Sequence, residues 1–160
     1  MGNRIIRTAS LFSIMAVTLL VLGTSCGKPA AESAGGVPGS VFLNPKSQSA
    51  KPGNQIKMSL EVVPADWGVS AFEVQISFDP AKLEALSVEA GDALGAKPIL
   101  GIRKIDNAQG TIVYALARVG DTTAPGKKGV LANLVFSGKS GAAGPAKLEL
   151  TKVGLTDENF

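Results

Sequence analysis

The 160-residue chain contains no histidine and a single cysteine. Without an imidazole there is no Ser-His or Cys-His catalytic pair, and no histidine-held zinc or haem. One cysteine excludes a disulfide scaffold and a cysteine-cluster metal site. Charged residues make up only 18 % of the chain, against 45 % apolar, which is the wrong balance for disorder. Rings are scarce too: one Trp, one Tyr and six Phe leave little to stack on a sugar. What the chain does have is 19 Gly and 9 Pro, the signature of many turns between short elements. The length allows one ordinary domain. A compact non-enzymatic module is the expectation, preceded by something that raises the apolar content.

Residues 1–25 are that something. Arg4 and Arg7 form a basic start, and Leu11 to Leu22 is a nearly unbroken apolar run. As a helix this run rises about 18 Å, well short of a hydrocarbon core of about 30 Å. A signal peptide fits better than a short uncleaved anchor. Removing it takes away Arg4 and Arg7, leaving 14 basic residues against 13 acidic ones. The apparent basicity belongs mostly to the leader, and nucleic acid is not an expected partner. The stretch Leu22-Gly23-Thr24-Ser25-Cys26 resembles a bacterial lipobox, with Gly23 where that motif prefers Leu. The resemblance implies lipidation of Cys26, and an anchor with two acyl chains suffices for stable membrane attachment. Residues 26–40 then read as a flexible tether, small, polar and punctuated by Gly and Pro.

From Val41 onward the apolar period is two. Ile56, Met58, Leu60 and Val62 alternate with polar residues, as do Phe72, Val74, Ile76 and Phe78. Both runs predict half-buried strands. Val130, Ala132, Leu134 and Phe136 repeat the pattern more weakly, as do Leu148 and Leu150. Thr111–Val119 is apolar nearly throughout and reads as a central strand of open facing. Turn chemistry at 51–54, 64–68, 107–110, 125–129 and 141–145 separates the runs. The fold class expected is all-β, a β-sandwich in residues 41–160. Pro80–Leu86 is the only helix-like stretch, with Leu83 and Leu86 folding back onto the core.

An ordered set of landmarks then resembles the cohesin domain, a jelly-roll sandwich that holds dockerin-bearing proteins. Val41-Phe42-Leu43 opens it, followed by the Pro52-Gly53 turn and the strand from Gln55. Phe72 to Glu84 carries an aromatic-Asp-Pro corner at Phe78-Asp79-Pro80, then Leu83-Glu84. Val88 to Gly91, Thr111 to Ala115, Gly129 to Phe136 and Leu148 to Asp157 complete the series. The resemblance implies a jelly roll of about eight or nine strands; the family usually adds a strand beyond the Leu155-Thr156-Asp157 region, so either the last strand is missing here or the fold closes with fewer strands. A missing strand would expose a sheet edge.

The same resemblance implies a partner-binding face on strands matching Ala71–Ser77, Thr111–Val119 and Val130–Ser137. Its residues would be Ala71, Glu73, Gln75, Ser77, Tyr114, Arg118, Leu131, Asn133 and Val135. The family commonly carries Asn and Asp where this chain has Ala71 and Glu73. No cofactor is expected, and calcium, if it takes part, belongs to the dockerin partner. Two other readings compete. Direct glycan binding, as in a carbohydrate-binding module, needs exposed rings, and only Trp67 and Tyr114 are available beyond the Phe residues. Glycosidase chemistry needs two placed carboxylates, and nothing singles out a pair among thirteen acids. Gly120–Lys128 is no phosphate loop, because Lys128 stands where Ser or Thr is required and a strand follows it. It reads as a hairpin loop. The expected partner is a dockerin-bearing protein, with polysaccharide second and the membrane reached only through the lipid.

Overall fold

The computed structural model describes residues 38–120 and 126–157. The leader, Cys26 and most of the tether lie outside the described residues. Eight strands follow in chain order: β1 Ser40–Asn44, β2 Gln55–Val63, β3 Ala71–Phe78, β4 Leu83–Ala90, β5 Ile99–Asp106, β6 Thr111–Ala117, β7 Gly129–Gly138 and β8 Leu148–Thr156. They form two antiparallel four-stranded sheets, ordered β1-β2-β7-β4 and β5-β6-β3-β8. This is the expected all-β jelly-roll sandwich.

Alternation drives the layering. Successive strand side chains point to opposite faces, so Phe72, Val74, Ile76 and Phe78 enter the core while Glu73 stays outside. On β6 the inward set is Ile112, Tyr114 and Leu116, which settles that strand's facing. The other sheet contributes Leu60, Val62, Leu134 and Phe136, all buried. Two edge-to-face ring pairs lie in the core, the first across the two sheets and the second between neighbouring strands β3 and β6 of one sheet. Phe78 and Phe136 lie 5.5 Å apart at 70°, and Phe72 and Tyr114 lie 5.9 Å apart at 61°. Trp67 packs partly buried against this core, as a loop ring capping the sandwich would.

Pro80–Leu86 is not helical. The Asp79 carboxylate accepts from the Ala81 N–H at 3.0 Å and the Asp79 carbonyl from the Leu83 N–H at 2.9 Å, closing a single turn before β4 starts. Leu83 is buried as expected, but a bulge between Ala85 and Ser87 leaves Leu86 exposed. The Gly120–Lys128 segment is not a hairpin either. It joins β6 to β7, which lie in different sheets.

The two flanks of the sandwich differ. On the β4–β5 side the Arg103 guanidinium pairs with Glu89 at 3.0 Å. Nearby, the Asn107 amide grips the Ala85 backbone, accepting from its N–H at 2.8 Å and donating to its carbonyl at 3.1 Å. That amide satisfies an edge-strand backbone that would otherwise be free. No equivalent clasp joins β1 to β8 among the described residues.

Glu61 is the one buried charged side chain of the described residues, 7 % exposed. It accepts from the Asn44 amide and from the Ser59 hydroxyl at 3.1 Å, and pairs with the Lys128 ammonium at 2.8 Å. Lys128 also sits 5.4 Å above the Phe42 ring. Burial pushes the Glu61 carboxyl up, but the hydrogen bonds from Lys128, Asn44 and Ser59 outweigh it and hold the group below its ordinary 4.5. A carboxyl depressed on folding stabilises the fold above its unfolded pKa, and that contribution is lost as pH falls through the folded value. Stability is therefore expected to be level above about pH 5.5 and to fall below about 4.5. Glu61→Gln should cost about 1–2 kcal/mol at pH 7 and flatten that acid slope. Urea midpoints at pH 7 and pH 3.5 check both.

Candidate partner-binding face

The outer face of the β5-β6-β3-β8 sheet is a near-regular grid, fixed by strand register. Ile99, Ala117, Ala71 and Thr156 form one row across the four strands. Ile102, Ala115, Glu73 and Gly154 form the next, then Lys104, Val113, Gln75 and Lys152. Asp106, Thr111, Ser77 and Glu149 close it. The face grades from apolar at one end to charged at the other. Its middle is low because Ala71, Ala115, Ala117 and Gly154 have little or no side chain.

Ile99 is 57 % exposed and Ile102 45 %, both standing up beside that low centre. Isolated exposed aliphatics are ordinary, but two neighbours on a small-residue platform make an apolar patch with a polar border. On the charged side the Lys152 ammonium reaches Glu73 at 2.7 Å across the β3–β8 pair. Both partners are roughly half exposed, so the pair fixes geometry more than it adds stability. The arrangement suits a flat protein contact, with apolar area for affinity and polar groups for register. Among the described residues no cluster of His, Cys, Asp and Glu is placed to hold a metal ion.

The residues anticipated from sequence divide into three groups. Ala71, Glu73, Gln75 and Ser77 stand together on the outer side of β3, within the grid. Tyr114 does not join them. It is 2 % exposed and points inward, where burial raises its hydroxyl above the ordinary 10. Arg118 follows β6, and its backbone N–H donates to the Ser70 carbonyl at 2.8 Å. Leu131, Asn133 and Val135 belong to β7, in the opposite sheet, so they share no face with Glu73. Leu131 is also buried, 1 % exposed, because a bulge near Leu60 and Glu61 lets Leu131 and Ala132 both turn inward. Asn133 and Val135 lie on the far outer face, level with Ser59 and Lys57.

One strand of the grid, β5, and the second half of another, β8, showed no alternation to read. On β5 a register shift between Leu100 and Ile102 places Gly101 out of phase, so no run of alternation was visible. On β8 a shift opposite Gln75 and Ile76 puts Thr151 out of phase and hides Lys152 and Gly154 in the same way. The available signal was Ile99 with Ile102, two aliphatics whose spacing makes sense only with one residue bulged.

The described residues thus form a helix-free jelly roll with one flat face of mixed apolar and polar character. The cohesin domain family model matches residues 41–159, and the chain belongs to that family. Solved cohesins share the fold. The sixth cohesin of scaffoldin B from Acetivibrio cellulolyticus, solved in complex with a dockerin mutant, is 23 % identical with a TM-score of 0.57, over 69 % of this chain and 81 % of that one. A type I cohesin–dockerin complex from Clostridium thermocellum gives 17 % and 0.57, over 69 % and 81 %. A non-cellulosomal cohesin from the archaeon Archaeoglobus fulgidus gives 17 % and 0.53, over 68 % and 71 %. None of the curated proteins compared matches the chain.

Proposed function

We propose that this protein is an exported lipoprotein, anchored through Cys26, whose cohesin domain docks a dockerin-bearing protein at the cell surface. The observation that carries the docking role is the flat grid on β5-β6-β3-β8, with Ile99 and Ile102 exposed beside Ala115 and Glu73. Membership of the cohesin family supports the choice of partner, and two of the similar structures contain a dockerin. Docking is non-covalent and needs no catalytic group. The apolar end supplies affinity, and the Glu73–Lys152 pair with Gln75 and Lys104 sets orientation. Polysaccharide breakdown is the process such an assembly would serve. Direct glycan binding is the weaker reading, since Tyr114 is buried, Trp67 packs on the core and the Phe42 ring is covered by the Lys128 ammonium, so the described residues offer no row of open rings to stack on a sugar.

Purified dockerin domains from the source organism, titrated calorimetrically with and without a calcium chelator, test the reading. Ile102→Glu/Ala115→Glu should weaken binding about a hundredfold or more, because two carboxylates would be desolvated at the centre of the contact. Asn133→Arg/Val135→Glu on the opposite sheet should leave affinity within about twofold. Equal losses from both pairs would remove the proposed face.

A further inference from the structure

β5 carries three of the six exposed large aliphatics of the described residues. Ile99 and Ile102 stand on the outer face of the β5-β6-β3-β8 sheet. Leu100, opposite the inward Leu116, turns toward the β4–β5 flank and is 47 % exposed. On the same outer face, β3, β6 and β8 present no apolar side chain larger than that of Val113. The apolar surface of the grid is therefore concentrated on one side and continues round the β5 edge. A partner that buries it must rest its weight on β5.

Lys104 is the next outward residue of β5 after Ile102, about 7 Å further along the strand, and it is exposed. A contact of ordinary size covers about 800 Å² on each partner, a disc roughly 30 Å across, so covering Ile102 covers Lys104 as well. The other charges of the grid are already engaged. Glu73 is bound by Lys152 at 2.7 Å and Glu149 by Lys147 at 2.6 Å. Asp106 stands two residues beyond Lys104, but its carboxylate accepts from the Ala108 and Gln109 N–H groups at 3.1 and 2.9 Å, inside the hairpin turn. Lys104 forms no ion pair among the described residues. Glu73 cannot supply one, since it stands two strands away, about 10 Å, and already holds Lys152.

These features select the partner's surface. A wholly apolar surface would strip water from the Lys104 ammonium and offer nothing in return. A basic one would repel it. An acidic side chain about 7 Å from an apolar anchor satisfies both Lys104 and the Ile99–Ile102 pair, and the charge fixes which way round the partner sits.

We propose that Lys104 is a specificity-determining residue of the docking face, which selects dockerins that carry an Asp or Glu beside the apolar group meeting Ile99 and Ile102. The assignment rests on the docking role proposed above for this face. It goes beyond that role by fixing the side of the grid on which the contact is centred and the charge that side takes.

The test titrates the full chain calorimetrically with the source organism's purified dockerin domains. In the dockerin that binds tightest, each Asp and Glu is changed singly to Lys. Lys104→Glu should weaken the unmodified dockerin about thirtyfold, and Lys104→Gln about fivefold. One charge-reversed dockerin should lose a similar factor against the unmodified chain and regain at least tenfold against Lys104→Glu. Lys57→Glu makes the same change of charge on the opposite sheet, at an exposed residue of β2, and should stay within about twofold. Three results would overturn the assignment while Ile102→Glu/Ala115→Glu still weakens binding, and so leave the docking face standing: Lys104→Glu within twofold of the unmodified chain, no dockerin variant rescued by it, or an equal loss from Lys57→Glu. No dockerin bound at all, or binding indifferent to Ile102→Glu/Ala115→Glu, removes the face and the assignment together.

Discussion

Gly110→Ala is expected to destabilise the domain by about 2–5 kcal/mol, from left-handed strain of about 1–2 kcal/mol together with overpacking of about 1–3 kcal/mol. Gly110 closes the β5–β6 hairpin with a φ of +65°, where a side chain is strained in any surroundings. Its surroundings are also full. An added Cβ would stand 2.2 Å from the Phe78 carbonyl oxygen and 2.8 Å from the Pro80 ring. Neither can retreat. The Phe78 N–H donates to the Gly110 carbonyl at 2.8 Å, and the Phe78 ring is held edge-on by Phe136. Gly53 provides the control, with a φ of +80° and open space around its Cβ position. Gly53→Ala should cost only the strain, about 1 kcal/mol. Thermal melts of the two variants should therefore separate by on the order of 10 °C, and similar midpoints would show that the corner at Phe78–Pro80 yields.

Phe136→Ala should cost about 3–5 kcal/mol, the usual range for removing a fully buried ring. Phe136 is 1 % exposed, pairs with Phe78, and forms part of the floor of a groove between β1 and β8. Its loss opens the core toward that groove and removes the edge-to-face contact as well. A double-mutant cycle with Phe78→Leu separates the two effects. A coupling of about 0.5–1.5 kcal/mol belongs to the ring pair and the remainder to lost burial and the cavity. Denaturant unfolding at pH 7 measures each corner of the cycle.

Much of the fold was legible because a half-buried strand writes its facing into alternate residues. Gln55–Val62 and Ala71–Phe78 show this without interruption over most of their length, and each is a strand with its apolar residues inward. The candidate face was legible only along β3, for a related reason. Alternation reports which side of a strand is wet but not which sheet the strand joins. β7 reads much like β3 in sequence, yet pairs between β2 and β4. Tyr114 was misplaced because β6 is apolar on both sides, with Val113, Ala115 and Ala117 outward. Leu131 was misplaced because a bulge breaks the period of two. The same kind of break hid β5 and the second half of β8. Pairing partners and bulges are set by long-range contacts, and those leave no local period to read.

β1 starts and β8 finishes at the same pole. Ser40 lies opposite Val63, and the Ser70 N–H donates to the Thr156 carbonyl at 2.7 Å, so the connection between Val63 and Ser70 ties down both. That short connection is a strap between the two sheets, so a cut within it would loosen the start of β1 and the finish of β8 together.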